Sequence, residues 1–185
     1  IQSVSKPFTA ALVMTQQGPA VLKEKIGVEP TGMAFNSKLA LAVYENSVNP
    51  LVNAGAIAAV SLVQATSEQE RSNKVQQNLS DFAGRPLTVL EKVYESEYST
   101  AFGNRGIANL LYNWGRLYSD PEEALRVYTR ECSVGVSAKD LGMMGATLAN
   151  GGVNPLTKKQ VMPAKHVPEL LAVMAAGDCD VGQRA

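Results

Sequence analysis

Histidine and cysteine are scarce in this sequence of 185 residues, and each scarcity excludes a class of site. The single histidine, His166, falls in a segment predicted to form the last helix, where we expect a surface position, so a Ser-His-Asp triad is excluded. The two cysteines, Cys132 and Cys179, form no CxxC pair and no cluster with histidine. A disulfide framework and a zinc site are therefore not expected, whereas a reducing, cytoplasmic location is.

The sequence also lacks long blocks of like charge and long apolar runs. Lysine and arginine together number 17, as do aspartate and glutamate, so the formal net charge is zero. Nothing in this balance indicates a nucleic acid or a membrane surface as a partner. The longest apolar run, residues 54–63, is well short of the roughly 20 residues that span a membrane. We therefore expect the partner to be a small molecule.

Helix signals, by contrast, are abundant. Asp120 precedes a proline at the first helical position, and Ser67, Thr88 and Ser137 each precede an acidic residue three positions later, a pattern typical of helix starts. No segment of strand length alternates between apolar and polar residues. Because 45% of the residues are apolar, the chain can bury one core. We predict a single, mainly α-helical domain that spans residues 1–185.

A serine and a lysine lie one helical turn apart close to the first residue. Ser3 and Lys6 precede Pro7, so both fall at the predicted start of a helix. In such a Ser-x-x-Lys motif a desolvated amine accepts the serine proton, and the helix dipole favours the negative charge that develops. Taken alone, the pattern also fits a capping serine followed by a surface lysine. The motif gains meaning only from the rest of the chain.

Four longer segments, in order, resemble landmarks of the serine-dependent glutaminase family. They are IQSVSKPF at residues 1–8, GVEPTGMAFN at residues 27–36, NPLVNAGAI at residues 49–57 and TLANGGVNP at residues 147–155. The resemblance runs over residues 1–174, and residues 175–185 form a divergent tail. It implies the helical part of the α/β fold of β-lactamases and penicillin-binding proteins, with most of the antiparallel sheet missing, so we expect exposed apolar surface.

The resemblance also implies a reaction. Ser3 would be the nucleophile that takes the γ-glutamyl group of L-glutamine and releases ammonia, and water would then release L-glutamate. Lys6 would be the base, alone or with a tyrosine. No metal or organic cofactor is implied, and the intact parent is expected to be a homo-oligomer, a dimer or a tetramer.

The substrate-binding residues implied by the resemblance are Ser3, Asn53, Glu97, Asn104 and Tyr128. Glu97 would hold the α-ammonium group of the substrate. Asn53 has a helix cap as its alternative role, and Tyr128 a place in the core. The family has the order Arg-Asn at this point, whereas this chain has Asn104-Arg105. The alignment of Asn104 with the family's asparagine could therefore be shifted by one residue.

The resemblance fails at the C-terminal end. Cys179 stands where the family has an active-site tyrosine, and no Lys-Ser-Gly-Val-Gly-Gly segment follows. The expected activity is therefore impaired, and one alternative is an inactive fragment that serves as a binding or structural module. Another alternative is a β-lactamase-type acyl-transferase, although Ser47-Val48-Asn49 matches the Ser-Asp-Asn motif only loosely and nothing matches Lys-Thr-Gly.

Overall fold

The computed structural model describes residues 1–44 and 48–181. A 3₁₀ turn at Gln2–Ser5 leads directly into the first helix, and another, Ala164–His166, precedes the last. The helices are α1 Lys6–Gln17, α2 Ala20–Lys25, α3 Lys38–Tyr44, α4 Asn53–Leu62, α5 Glu68–Ala83, α6 Glu91–Ser99, α7 Phe102–Asn113, α8 Pro121–Cys132, α9 Ala138–Ala149 and α10 Val167–Val181. Ser47 and the side chain of Cys179 lie outside the described residues.

Secondary structure other than helix is limited to two isolated β-bridges within the described ranges. One pairs Val89 with Val134 and the other pairs Val153 with Gln160. The mainly α-helical fold predicted from the sequence is therefore confirmed. The last helix continues to Val181.

The helix starts follow the predicted capping chemistry at three of four places. The Asp120 side chain accepts from the amides of Glu122 and Glu123, Ser67 accepts from Glu70, and Ser137 forms a reciprocal capping box with Asp140. The prediction at Thr88 was wrong. Leu90 is the residue before α6, and no side chain caps that helix. There the Val89–Val134 bridge and the bond from the Leu90 amide to the carbonyl of Ser133 fix the chain instead.

Helix α4 lies at the centre of the domain. It packs against α1, α7 and α8, and every residue from Asn53 to Ser61 is buried. Small side chains permit this close packing, most clearly at Gly55, where an added Cβ would lie 1.7 Å from the carbonyl oxygen of Asn49. Nearly all of the apolar run at residues 54–63 thus lies in this buried helix. Its first residue, Asn53, is thereby held at the centre of the molecule.

Several large apolar side chains remain on the surface of the described part. The most exposed is Phe102, at 74%. Leu110 is exposed as well, whereas Leu111 is buried and Trp114 packs against the core from its edge. The others are Val4, Leu39, Val43, Leu90, Tyr112, Leu156 and Leu171. No helix in the described ranges is both long and apolar enough to cross a membrane.

Candidate active site

A cavity of about 540 Å³ opens beside the first turn of the chain. Its walls come from the 3₁₀ turn at Gln2–Ser5, from residues 35–38, and from α4, α6, α7 and α8. The structure brings five of the six residues singled out from the sequence to this cavity: Ser3, Asn53, Glu97, Asn104 and Tyr128. The sixth, Lys6, is buried behind the wall and contacts Asn53.

Ser3 and Lys6 occupy different environments although they are one turn apart. Ser3 is exposed on the 3₁₀ turn and lines the cavity. Lys6 is the first residue of α1 and only 2% exposed. Gln2, next to the serine, has a φ of 53°, a left-handed conformation that non-glycine residues rarely adopt. The turn therefore presents the hydroxyl of Ser3 to the cavity while the lysine stem runs into the core.

Asn53 connects three of the candidate residues. Its Oδ1 accepts from the amine of Lys6 at 2.7 Å and from the hydroxyl of Tyr128 at 3.3 Å. Its Nδ2 donates to Oδ1 of Asn104 at 3.0 Å. The side chain does not cap its own helix, so the alternative role that the sequence left open for Asn53 is not the one that the structure shows.

The ionisable groups of α8 that line the cavity remain protonated at neutral pH. Burial raises the pKa of the Tyr128 hydroxyl well above its ordinary value, and burial raises the pKa of the Cys132 thiol to about 12. Tyr128 therefore acts as a hydrogen-bond donor rather than as a base. Cys132 carries no thiolate.

Opposite charges lie along the rim of the cavity. Glu97 on α6 is exposed and accepts a hydrogen bond from Nε2 of Gln2 at 3.3 Å. Lys38, the first residue of α3, lines the same cavity and is also exposed. The cavity thus presents side chains of opposite charge to a ligand that carries both charges.

The structure shows which of the two neighbours, Asn104 or Arg105, lines the cavity. Asn104 lies in the first turn of α7 and lines the cavity. Arg105 instead pairs with Glu122, with Nη2 and Oε1 3.0 Å apart, and stacks on the ring of Tyr98. The neighbouring arginine is thereby committed to α6 and α8.

Two residues in this region were not singled out from the sequence. Phe35, within the family segment at residues 27–36, lies with its ring centre 5.5 Å from Nζ of Lys6 and lines the cavity. Glu131 on α8 is buried, and burial raises its pKa to about 7. A glutamate within a charged helix has no pattern that indicates burial. Only the packing of α8 against the first turn and α5 reveals it.

A second cavity, of about 550 Å³, lies beside α5 and residues 157–159. Its two cations are engaged by carboxylates: Arg85 with Asp140 at 2.6 Å and Lys159 with Asp81 at 2.6 Å. No residue predicted to be functional lines it. The first cavity is therefore the candidate site.

Known proteins resemble this chain over almost its full length. A protein-family model described as Glutaminase matches residues 1–179. A glutaminase of Mycobacterium ulcerans is 50% identical over 175 residues, which are 94% of this chain and 55% of that protein. A solved structure of the probable glutaminase ybaS superposes with a TM-score of 0.93 at 45% identity, covering 95% of this chain and 57% of the other.

A probable glutaminase of Bacillus subtilis superposes with a TM-score of 0.89 at 30% identity, covering 94% of this chain and 56% of the other. The chain therefore belongs to the glutaminase family. It spans about half the length of the relatives it matches.

Proposed function

We propose that the protein hydrolyses L-glutamine to L-glutamate and ammonia through an acyl-enzyme on Ser3. The observation that carries this proposal is the cavity, whose lining includes an exposed serine, an acid, two asparagines and a protonated tyrosine. The buried Lys6 lies one turn from that serine, behind the wall. Membership of the glutaminase family supports the same reaction.

In the proposed acylation step, the amine of Lys6 takes the proton of the Ser3 hydroxyl, and Oγ of Ser3 bonds to the side-chain amide carbon of the substrate. The C–N bond then breaks, and the proton passes to the leaving ammonia. The positive end of α1, which begins directly after the serine turn, favours the negative charge on the carbonyl oxygen. In deacylation, Lys6 takes a proton from water while the water oxygen bonds to the ester carbon. The bond from that carbon to Oγ of Ser3 then breaks, Lys6 gives the proton to Oγ, and L-glutamate leaves.

Recognition of a free amino acid needs partners for two opposite charges. Glu97 is the proposed partner of the α-ammonium group, and Asn104, Tyr128 and Asn53 supply amide and hydroxyl groups. Lys38, on the same cavity, is placed to attract the α-carboxylate. Because this lining carries opposite charges, amides and a hydroxyl, the cavity suits a zwitterionic ligand better than an apolar one.

The test uses Ser3→Ala, with Ser96→Ala on the exposed face of α6 as the matched control. Ammonia release from L-glutamine is measured, and intact mass reports acylation by an activated γ-glutamyl ester. We expect both signals in the wild-type chain and in S96A, and neither in S3A. Acylation by a penicillin in place of the glutamyl ester would favour a β-lactamase-type enzyme. No acylation by either would favour a binding or structural module.

The cellular setting that we propose is the cytoplasm, with the intact protein assembled as a dimer or a tetramer. The first statement follows from the scarce, unclustered cysteines, and the second follows from the family resemblance. Sedimentation of the protein tests the second.

A further inference from the structure

An aromatic ring that the proposed reaction does not use lies beside the amine of Lys6. The ring centre of Phe35 is 5.5 Å from Nζ of Lys6, a distance at which the face of an aromatic ring attracts a cation. The Phe35 side chain is half-buried and lines the cavity, whereas Lys6 is only 2% exposed. Phe35 therefore belongs to the wall behind which the amine lies.

One residue, Asn53, holds both the ring and the amine. Its backbone amide donates to the carbonyl of Phe35 at 2.9 Å, and its side-chain Oδ1 accepts from Nζ of Lys6 at 2.7 Å. Because Asn53 is the first residue of the buried helix α4, the loop that carries the ring is tied to the core where the amine is tied. The distance between ring and amine is therefore set by the core and not by the loop alone.

Two turns shape the loop around the ring. Before the ring, the amide of Met33 donates to Oγ1 of Thr31 at 2.9 Å. The amide of Ser37 donates to the carbonyl of Ala34 at 2.8 Å, which closes a turn that contains Phe35. Because these bonds do not involve the ring, we expect a change of the Phe35 side chain to leave the loop in place.

A phenyl ring acts on a neighbouring amine in two ways. Exclusion of water favours the uncharged amine, whereas the face of the ring favours the ammonium form. These effects oppose each other in the charge of the amine. They agree in its position, because both are lost when the amine moves into the water of the cavity. The net effect of the ring is therefore on where the amine lies.

We propose that Phe35 is a positioning residue whose ring shields the amine of Lys6 from the water of the cavity and keeps it on Oδ1 of Asn53. Without the ring, water reaches the amine and competes with Asn53 for its protons. The amine then has no single fixed place one turn from Ser3, and proton transfer from the serine slows. The effect on acylation rests on the proposed function, whereas the shielding does not.

Exchange of the amine protons with water tests the shielding without any reaction. In ¹⁵N-lysine-labelled protein, the Nζ signal of Lys6 is assigned with a Lys6→Met variant, and exposed Lys92 on α6 is the internal reference. In the wild type we expect the amine protons of Lys6 to exchange at least about 10-fold more slowly than those of Lys92. Exchange as fast as that of Lys92 overturns the proposal, whether or not any variant folds.

Three variants show whether Phe35 is the cause of slow exchange. In Phe35→Ala, exchange at Lys6 should become about 10-fold faster. Phe35→Leu, which keeps much of the bulk of the side chain, should retain slow exchange. Phe102→Ala removes an exposed ring on α7 and is the matched control, so exchange at Lys6 should not change. Slow exchange in folded Phe35→Ala overturns the proposal.

Acylation of Ser3 by the activated γ-glutamyl ester is the second readout. In Phe35→Ala we expect the maximal acylation rate constant to fall about 10- to 100-fold, while the ester concentration that gives half of this rate changes little. Phe35→Leu should recover part of the rate, and Phe102→Ala should match the wild type. A loss confined to the half-saturating concentration would mean that the ring packs against the substrate instead, and it overturns the proposal.

The two readouts separate this proposal from the proposed function. If the wild type is not acylated while exchange at Lys6 is slow in the wild type and fast in Phe35→Ala, the shielding stands and the proposed function fails. If the wild type is acylated and Phe35→Ala changes neither the exchange nor the rate, the proposed function stands and the role of Phe35 fails.

Discussion

The amine of Lys6 donates to Oδ1 of Asn53 at 2.7 Å, in a bond that joins the first turn of α1 to the first turn of α4. The same oxygen accepts from Tyr128 on α8, and the amide nitrogen of the side chain donates to Asn104 on α7. One amide thus connects four helices at the floor of the cavity. Because α4 is buried along nearly its whole length, this floor is held by the core rather than by a loop.

Removal of that amide should affect both stability and reaction. In Asn53→Ala, the Lys6 amine and the Tyr128 hydroxyl lose their shared acceptor, which we expect to cost about 1–3 kcal/mol of unfolding free energy. Acylation of Ser3 should fall about 100-fold, because the amine is no longer oriented. Urea unfolding and intact-mass kinetics measure the two effects.

Asn109→Ala serves as the control, since that exposed side chain of α7 donates to the carbonyl of Arg105, its one hydrogen bond within residues 1–44 and 48–181. Equal acylation rates in the Asn53 and Asn109 variants would contradict the role of Asn53.

The tight packing of α4 gives a second prediction. Gly55→Ala places a methyl group 1.7 Å from the carbonyl oxygen of Asn49, a buried backbone atom that cannot move aside. We expect a loss of about 3 kcal/mol or more and a displaced Asn53, hence slower acylation. Gly142→Ala on α9 is the matched control, because an added Cβ meets nothing within 4 Å there. It should gain about 0.5–1 kcal/mol. Thermal melts that rank the two variants in the opposite order would refute this account.

A buried arginine ties the end of α4 to two further helices. Nη1 of Arg71 donates to the carbonyl oxygens of Ser61 and Val63, and its Nε lies 2.8 Å from Oε1 of Glu123. Arg71→Ala should therefore cost about 3 kcal/mol, because a carboxylate and the last carbonyls of α4 lose their donor. Glu123→Gln keeps an acceptor for the arginine and should cost about 1 kcal/mol. If chemical denaturation shows that Arg71→Ala and Glu123→Gln lose equal unfolding free energy, the contacts of Arg71 with the carbonyl groups contribute nothing to stability.

Most of the residues singled out from the sequence line one cavity, but the contacts that hold this cavity together were not predicted. Ser3 and Lys6 were indicated by their spacing before a proline, whereas Asn53, Glu97, Asn104 and Tyr128 were implied by the resemblance to the glutaminase family. Arg71 and Glu131 gave no comparable signal. Their roles depend on which helix faces them, a tertiary contact between segments more than 50 positions apart for Arg71 and Glu123. The predicted cap at Thr88 was wrong because the β-bridge at Val89 overrides the local preference.

Glu131 should make stability depend on pH in an unusual direction for an acid. Its pKa rises from an ordinary 4.5 in the unfolded chain to about 7 in the fold, because burial disfavours the charge. The folded state then binds more protons than the unfolded state between these values, so unfolding free energy falls as pH rises from about 4.5 through about 7. The loss approaches about 3 kcal/mol above neutral pH.

Glu131→Gln cannot ionise and should lack this slope, while Asp140→Asn should retain it. The difference in unfolding free energy between wild type and Glu131→Gln, measured by urea unfolding from pH 4 to pH 8, isolates the effect from all other groups. A difference that stays constant over this range would mean that the carboxyl is hydrated or paired in the folded protein, and it would contradict the raised pKa of Glu131.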